Sequence, residues 1–489
     1  MIMKLRNQSI YILLTGLLLG ACQYEFPESP VQEPDAGNAD FSKYVAVGNS
    51  LTAGLMDGAL YNRAQQHSFA VILAGQLEAA GGGAFNVPDI DSENGFFSMG
   101  PNGPLGRLIL TTAPNGSISP APIGPGEIPA PYTGDKASLN NFGVPGITLG
   151  QALTPMTGGP ASEQNPAYSP LYARFASAPG QSTIIGDAAA ALADGGTFFS
   201  FWLGSNDVLG YAIDGASNPN ILTSNEDFQA RLTAALGTML QANTAAFGVV
   251  LNIPPFNHLP YFNLVPYNAV PLTQSEADQA NQAYALYNGG LQQAALGGLI
   301  TEEERQYRTI TFTAGANAFV MEDESLTDLS ALGLPPIRQS TAEDKTTLPL
   351  AQALGAPSSE HPNGKRGVTF PVEDEFMLIP DEQAEVNAKI TSFNEMIAAT
   401  VDANAERLVL VDAASFIEQV AAGQVNAGGV ALNASIIPPN GGFSVDGVHP
   451  NGRAHAFLTN LVIDAINAKW EANILKVNPN AYVGNDLPR

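Results

Sequence analysis

Four short segments of the 489-residue chain carry residue types that suit acyl transfer, and they lie far apart in the sequence. The first is Gly48-Asn49-Ser50, where an apolar run ends and a helix is expected to begin. A serine in such a turn can present its hydroxyl to a cleft while its backbone N–H points the same way as an oxyanion donor. A serine that caps a helix is the alternative interpretation. Taken alone, Ser50 is better explained as a cap.

The last of these segments is Asp446-Gly447-Val448-His449, directly before a predicted C-terminal helix. With a glycine between them, the aspartate can fold back and hold the imidazole Nδ1–H, which leaves Nε2 free to take a proton from a serine. A lone histidine in a loop is usually a surface residue, and the chain has five histidines. The Asp-x-x-His spacing is what favours His449 as a general base.

The other two segments could donate hydrogen bonds to an oxyanion. Asn206, in the run Gly204-Ser205-Asn206-Asp207, carries an amide that donates without titrating. An Asx-turn is the alternative interpretation of that run. The segment 141–148 (NFGVPGIT) contains glycines, which allow a backbone N–H to approach a ligand closely. Glycine turns are common in this chain, so the second signal is weak by itself.

Together, in this order and at predicted strand ends, the four segments resemble the sequence blocks of the SGNH (GDSL-type) hydrolases. The resemblance implies a serine ester hydrolase, esterase- or lipase-like, that forms an acyl-enzyme. It implies that Ser50 is the nucleophile and that Asp446 and His449 complete the triad. It also implies an oxyanion hole formed by the Ser50 N–H, the Gly146 N–H and the Asn206 side chain. The expected substrates are esters of acyl lipids or acetylated glycans.

Two positions qualify the resemblance. Gly146 is preferred over Gly143 because the family's glycine tends to precede a small polar residue, as in Gly146-Ile147-Thr148. Asn49 stands where the family commonly has aspartate, so a hydrogen-bonding partner in this loop is neutral. We expect this to modify the loop and not to abolish activity.

A non-catalytic glycan- or surface-binding lipoprotein on the same fold is the alternative function. The complete set of catalytic residue types favours the enzyme.

Short apolar runs predict strands buried on both faces, and amphipathic patterns predict helices between them. The predicted strands are 43–48, 197–203, 247–252 and 407–412, and the predicted helices are 226–241, 274–295, 383–405 and 452–469. This alternation predicts an α/β fold with a parallel sheet covered by helices on both faces. The resemblance specifies a three-layer α/β/α sandwich of the SGNH or flavodoxin-like type, with a mainly parallel sheet. Functional residues of such sheets gather at the carboxyl ends of the strands.

Composition and pattern also predict the domain organisation. We expect one hydrolase domain over 41–472, with large loop-rich insertions at about 56–139 and 254–381, followed by a C-terminal tail over 473–489. The aromatic residues of 256–267 could line an acyl or sugar pocket, although such a stretch is more often core.

The N-terminal segment predicts export. Lys4 and Arg6 precede the apolar run 10–19, and Gly20 and Ala21 directly precede Cys22. This is the layout of a signal peptide, and it resembles the lipobox of bacterial lipoproteins. A plain signal peptide or a buried cysteine is the alternative. We therefore expect a signal peptide over 1–22, a lipidated Cys22, a tether over 23–40 and anchoring to a bacterial outer membrane, on its periplasmic or cell-surface face.

Charge and ligand patterns disfavour other classes of function. The chain has 20 Lys and Arg against 46 Asp and Glu, so its net charge of −26 disfavours nucleic-acid binding and electrostatic adsorption to anionic lipid. A single cysteine excludes an intramolecular disulfide. The acidic runs 302–304 and 373–375 lack the spacing of a calcium loop, and neither a zinc pattern nor a P-loop is present. The sequence predicts no metal and no cofactor.

Overall fold

The computed structural model describes residues 33–112, 116, 118–427 and 429–489. At its centre is a five-stranded, all-parallel sheet with the strand order β5-β4-β3-β1-β2. Its strands are β1 Tyr44–Gly48, β2 Asn141–Gly143, β3 Phe198–Trp202, β4 Phe247–Leu251 and β5 Leu408–Val411. Helices flank this sheet, so the predicted α/β class with a parallel sheet is confirmed.

The strands form where the chain is apolar at successive positions. All residues of β1 (YVAVG) and β3 (FFSFW) are buried, as expected for central strands of a parallel sheet that is covered on both faces. Each of the four predicted strands lies within one residue of its expected start and end. Strand β2 is the exception, because its sequence Asn-Phe-Gly offers no apolar run. It pairs only with β1, at the edge of the sheet.

Helices follow the strands and pack against the sheet. The helices that support the site are α1 Ser50–Ala53, α2 Phe69–Ala79, α3 Ile184–Ala193, α4 Asn206–Ile213, α5 Asn225–Ala242, α6 Pro380–Asp402, α7 Ala413–Ala421 and α8 Gly452–Trp470. Shorter or peripheral α-helices are Asn62–Gln66, Leu149–Ala152, Pro170–Ala173, Gln274–Leu296, Glu302–Arg308 and Leu350–Ala353. The 3₁₀ turns are Lys136–Ser138, Pro155–Gly158, Pro219–Ile221, Pro260–Phe262, Ser330–Leu332, Asp374–Phe376 and Pro479–Ala481.

Helices α2 and α8 pack against each other and against β3. The ring of Phe69 in α2 contacts Trp202, and Trp470 in α8 contacts Phe198. Because side chains alternate along a strand, Phe198 and Trp202 lie on the same face of the sheet. Helices α3, α5 and α6 pack in a row, α3 against α5 and α5 against α6.

The predicted insertions contain small two-stranded antiparallel sheets. Their strands are Met99–Gly100 with Gly103–Pro104, Leu108–Thr112 with Ile118–Pro122, Val270–Leu272 with Gly315–Asn317, Val320–Glu322 with Ile337–Gln339, and Lys345–Thr346 with Met377–Leu378. A further pair, Asn426–Ala427 with Val430–Ala431, follows α7. The second insertion also has a hydrophobic cluster of its own, formed by residues between Val265 and Ile379.

Both ends of the described chain lie against the domain. Asp35 forms an isolated bridge with Asn473, and the Asn38 N–H donates to the Trp470 carbonyl at 2.7 Å. In the C-terminal tail, the Arg489 N–H donates to the carbonyl of Leu110 at 3.0 Å. Residues 1–32, which include the predicted signal peptide, Cys22 and most of the predicted tether, lie outside the described residues. Within the described ranges, none of the helices combines the length and apolar character that a membrane crossing requires.

Candidate active site

The structure brings Ser50, His449 and Asp446 together in one line of hydrogen bonds. Nε2 of His449 lies 2.8 Å from Oγ of Ser50, and Nδ1 of His449 lies 2.9 Å from Oδ2 of Asp446. Both distances are within normal hydrogen-bonding range. The side chains of His449 and Asp446 are 16% and 10% exposed, so the line is shielded from solvent but can still be reached. This is the arrangement of a nucleophile, a general base and an orienting carboxylate.

Asp446 is held as a carboxylate. Burial alone would raise its pKa, but the charge of a protonated His449, the hydrogen bond to the ring and backbone N–H donors outweigh burial and lower the pKa to about 2. The donors include the N–H groups of Val448 and His449 on Oδ1 and of Gly58 on Oδ2. Because an ionised carboxylate only accepts hydrogen bonds, Nδ1 of His449 carries the ring proton. The lone pair of Nε2 then faces the serine hydroxyl.

Ser50 is positioned by the turn that links β1 to α1. The side chain of Asn49 caps this helix by accepting the Leu51 N–H at 3.0 Å, and it is 1% exposed. An asparagine caps a helix about as well as an aspartate, so this turn forms without an acid at position 49. Helix α1 is a single turn of four residues. Its first N–H, on Ser50, has no hydrogen-bond partner within the described part of the chain.

The loop that carries Asp446 and His449 is fastened to the segment just after α1. The Asp57 N–H donates to Oγ of Ser444 at 2.9 Å, and the Val445 N–H donates to Oδ1 of Asp57 at 3.0 Å. The Gly58 N–H then donates to Asp446 itself at 2.8 Å. Asp57 is 7% exposed and has a φ of 55°, a conformation that only a fixed turn retains in a non-glycine residue. In the sequence, the Asp57-Gly58 pair is a turn signal, but it does not indicate this contact.

Gly447 allows this loop to approach its neighbour closely. Its φ is +73°, and a Cβ built at this position would lie 2.8 Å from the backbone nitrogen of Tyr261. The Tyr261 N–H donates to the Gly447 carbonyl at 3.0 Å. A side chain at this position would therefore displace the loop between Asp446 and His449.

The predicted oxyanion donors lie at the ends of the strands on either side of β1. Asn206 is the first residue of α4 and lines the same cavity as Ser50. Its Nδ2 donates to the Ile147 carbonyl at 2.9 Å, which occupies one of the two amide hydrogens and leaves the other for a ligand.

The structure separates the two candidate glycines. The Gly143 N–H is occupied by Oδ1 of Asn141 at 2.8 Å. Gly146 has a φ of +74°, and its N–H has no hydrogen-bond partner in the described residues. Gly146 directly precedes Ile147, whose carbonyl holds Asn206, but it is not among the residues that line the cavity. Because the Gly146 N–H is free among the described residues and the Gly143 N–H is occupied, Gly146 is favoured over Gly143 as a donor.

A cavity of about 760 Å³, including its open mouth, extends from Ser50 and His449 into the domain. Its polar lining residues are Asn49, Ser50, Ser205, Asn206 and His449, and its other lining residues are apolar. Ser205 is 8% exposed, and its Oγ has no hydrogen-bond partner among the described residues. Phe256, from the aromatic stretch noted in the sequence, lines the cavity, whereas Phe262 of the same stretch is in the core.

No family model, curated protein or solved structure matches this chain.

A second histidine near the site has a different role. His455 is fully buried, and its Nδ1 accepts the Phe69 N–H at 3.2 Å. Burial and the nearby charge of His449 lower its pKa to about 3. His455 therefore stays neutral and joins α8 to α2, while His449 is the histidine that faces the cavity.

Three carboxyl groups meet where the second insertion joins α6. Oxygens of Glu324, Asp374 and Glu382 lie within 4.8 Å of one another. Burial and the neighbouring carboxylates raise the pKa of Asp374 to about 6 and that of Glu382 to about 9. Protonation and hydrogen bonding can thus relieve the repulsion.

Proposed function

We propose that this protein is a serine ester hydrolase that works through an acyl-enzyme. The observation that carries the proposal is the continuous line from Ser50 through His449 to Asp446, with distances of 2.8 and 2.9 Å. The line ends at a cavity whose lining is mostly apolar. A side-chain network with a purely structural role would have no need to open onto such a space.

In the first step, Oγ of Ser50 attacks the carbonyl carbon of the ester while Nε2 of His449 takes the serine proton. The carbonyl oxygen becomes an oxyanion as the new C–O bond forms. The carboxylate of Asp446 stabilises the imidazolium, which is consistent with the low pKa of that carboxyl group. When the ester C–O bond breaks, His449 gives the proton to the leaving alcohol.

In the second step, His449 takes a proton from water, and the hydroxide attacks the acyl carbon of the serine ester. The acid leaves, and the proton on His449 returns to Oγ of Ser50. In both steps we assign the oxyanion to the Ser50 N–H, the free amide hydrogen of Asn206 and the Gly146 N–H. Such preorganised donors typically contribute a hundredfold or more each.

The proposed architecture is a three-layer α/β/α sandwich like that of the SGNH (GDSL-type) hydrolases. The five-stranded parallel sheet and its two groups of helices support it. So do the positions of Ser50 after β1 and Asn206 after β3, since functional residues of parallel sheets lie at carboxyl ends.

The test is fluorophosphonate labelling together with turnover of p-nitrophenyl butyrate, comparing the unmodified protein with Ser50→Ala. We expect the label to be lost and kcat to fall by roughly 10⁶-fold, the size seen when a catalytic serine is removed. Ser217→Ala, which removes an exposed serine, is the matched control and should change neither readout. Labelling that survives in Ser50→Ala would show that the nucleophile is another residue.

We further propose export and lipid anchoring through Cys22, which rests on the pattern of residues 1–22. Two acyl chains on one residue give stable membrane attachment, whereas one chain binds marginally. Metabolic palmitate labelling of the unmodified chain and of Cys22→Ala tests this. Label retained in the variant would contradict lipidation at Cys22.

A further inference from the structure

The cavity beside Ser50 runs across the carboxyl ends of four strands. It is lined by Ser50 after β1, by Ser205 and Asn206 after β3, by Ile253 to Phe256 after β4, and by Ala413 after β5. Neighbouring strands are about 4.8 Å apart, so β5 lies about 14 Å from β1 along the edge of the sheet. The cavity is therefore long, and Ser50 is at one end of it.

Polarity changes along this length. Every polar lining residue follows β1 or β3 or belongs to the His449 loop. The part that follows β4 and β5 is apolar, with Val386 and Ile390 of α6 and Phe416 of α7 on its walls. Charged carboxylates, ammonium groups and guanidinium groups are absent from the lining among the described residues. A ligand that fits this gradient has its polar group at Ser50 and an aliphatic chain directed toward β5.

The extent of the apolar lining separates acetyl esters from esters of longer acyl chains. An acetyl group bound at Ser50 would leave the apolar walls that follow β4 and β5 without a ligand. A length of about 14 Å instead suits a chain of on the order of ten carbon atoms, since each C–C bond is about 1.5 Å.

We propose that the cavity binds the acyl chain of the ester, so that the protein selects aliphatic acyl groups of medium to long length over acetyl groups. This inference rests on the proposed function and names its substrate class. Ser205, whose hydroxyl has no hydrogen-bond partner among the described residues, belongs to the polar end.

Ala413 sets the length of the chain that fits. It is the first residue of α7, is 1% exposed and lines the cavity at the β5 end. Its methyl side chain leaves space that a larger side chain would fill. Ala413→Leu should therefore shorten the cavity from the end that lies farthest from Ser50.

The experiment measures kcat/KM for p-nitrophenyl esters from acetate to laurate. In the unmodified protein we expect an increase of about fourfold for each added methylene until the cavity is full, followed by a plateau. Ala413→Leu should lower kcat/KM for decanoate at least about tenfold while leaving butyrate within about twofold, because only the longer chain reaches the added side chain. Ala422→Leu, at the exposed end of the same helix, is the matched control and should keep the unmodified profile.

Two further measurements keep the outcome clear. A circular dichroism spectrum of Ala413→Leu that matches that of the unmodified protein shows that the variant has folded, and Phe416→Ala, which enlarges the cavity, should move the plateau to longer chains. Alkyl acetates of increasing alcohol length test the other orientation. A preference that follows the alcohol chain would overturn the assignment of the cavity to the acyl group.

The remaining outcomes distinguish this inference from the proposed function. Turnover that depends on Ser50 but is equal for acetate and decanoate would overturn the acyl cavity and leave the hydrolase standing. If the unmodified protein shows neither labelling nor turnover that depends on Ser50, both the acyl cavity and the proposed hydrolase activity are overturned.

Discussion

Two assemblies in this molecule pair a buried carboxylate with a basic side chain. They differ in what surrounds them. Asp446 and His449 lie beside Ser50 at an open cavity, whereas Arg338 lies between Asp323 and Asp344 inside the second insertion. The side chains of Arg338 and Asp344 are 0% exposed, and Nη1 and Nη2 of the guanidinium donate to the Asp344 carboxylate at 2.7 and 2.6 Å.

The arginine assembly is also closed on its remaining sides. The guanidinium Nε donates to Asp323, and the ring of Tyr307 covers the group at 4.7 Å. The serine assembly instead leaves the Ser50 N–H and one Asn206 hydrogen unused beside empty space. Buried charge is thus common to both regions. Unused donors next to a cavity are found at the serine assembly.

The largest expected effect separates the two assemblies by activity. Asp446→Asn should lower kcat by roughly 10⁴-fold, because a neutral amide neither holds the correct tautomer of His449 nor stabilises its imidazolium. The measurement is steady-state hydrolysis of a p-nitrophenyl ester, with circular dichroism to verify folding. Asp344→Asn, which changes an equally buried carboxylate, is the matched control and should lower stability while leaving turnover intact. Equal losses of turnover in the two variants would show that Asp446 is no more important for activity than Asp344.

The next effect is on stability. Arg338→Leu should lower the free energy of unfolding by about 3–5 kcal/mol, because it leaves the carboxylates of Asp323 and Asp344 buried without a partner. Urea unfolding measures the change. A triple variant with Arg338→Met, Asp323→Leu and Asp344→Leu should recover most of the loss, since apolar residues of similar volume replace a buried ion pair well. If the triple variant is no more stable than the single one, the loss comes from packing and not from unpaired charge.

A smaller effect tests the unused donor at the serine assembly. Asn206→Ala should lower kcat by about 10²- to 10³-fold with little change in KM, because the lost hydrogen bond forms with the oxyanion. Asn220→Ala, which removes an exposed asparagine amide, is the control. A rise in KM with an unchanged kcat would place Asn206 in ground-state binding instead.

The smallest expected effect is a dependence of stability on acid. The pKa of Asp446 falls from 3.8 to about 2 on folding, so the folded state binds fewer protons there than the unfolded state. Its stabilising contribution, on the order of 2 kcal/mol, is nearly complete above about pH 5 and is lost as the pH falls to about 2. The free-energy difference between the unmodified protein and Asp446→Asn should therefore shrink between pH 5 and pH 2. A difference that stays constant across this range contradicts the lowered pKa.

The sequence predicts the parts of the fold that depend on local pattern. Strands β1, β3, β4 and β5 are contiguous apolar runs, and α5, α6 and α8 have a polar face. Helices α2 (FAVILAGQLEA) and α3 (IIGDAAAALA) escape prediction because both are apolar on most sides, and α2 also shows little periodicity. Strand β2 escapes because pairing with β1, and not its own composition, makes it a strand.

In the site, too, the sequence predicts the features that depend on local pattern and not those that depend on distant contacts. The Asp-x-x-His spacing and the strand-end positions predict which side chains meet. The sequence does not reveal the hydrogen bonds from the Asp57 turn to the loop of Asp446, because the partners are separated by 388 residues. Nor does it reveal the far walls of the cavity, where Val386 and Phe416 are on helices whose apolar faces resemble any core-facing face.

The distance along the chain between the proposed nucleophile and the proposed base has a consequence for the order in which the site forms. His449 follows Ser50 by 399 residues, and the loop that carries it is fastened to Asp57, only seven positions after the serine. A chain that is still being synthesised, or that has been cut before Asp446, contains the hydroxyl without the group that activates it. We therefore expect ester hydrolysis to appear late in biosynthesis, when helix α8 docks onto the domain. Incomplete chains should not hydrolyse esters.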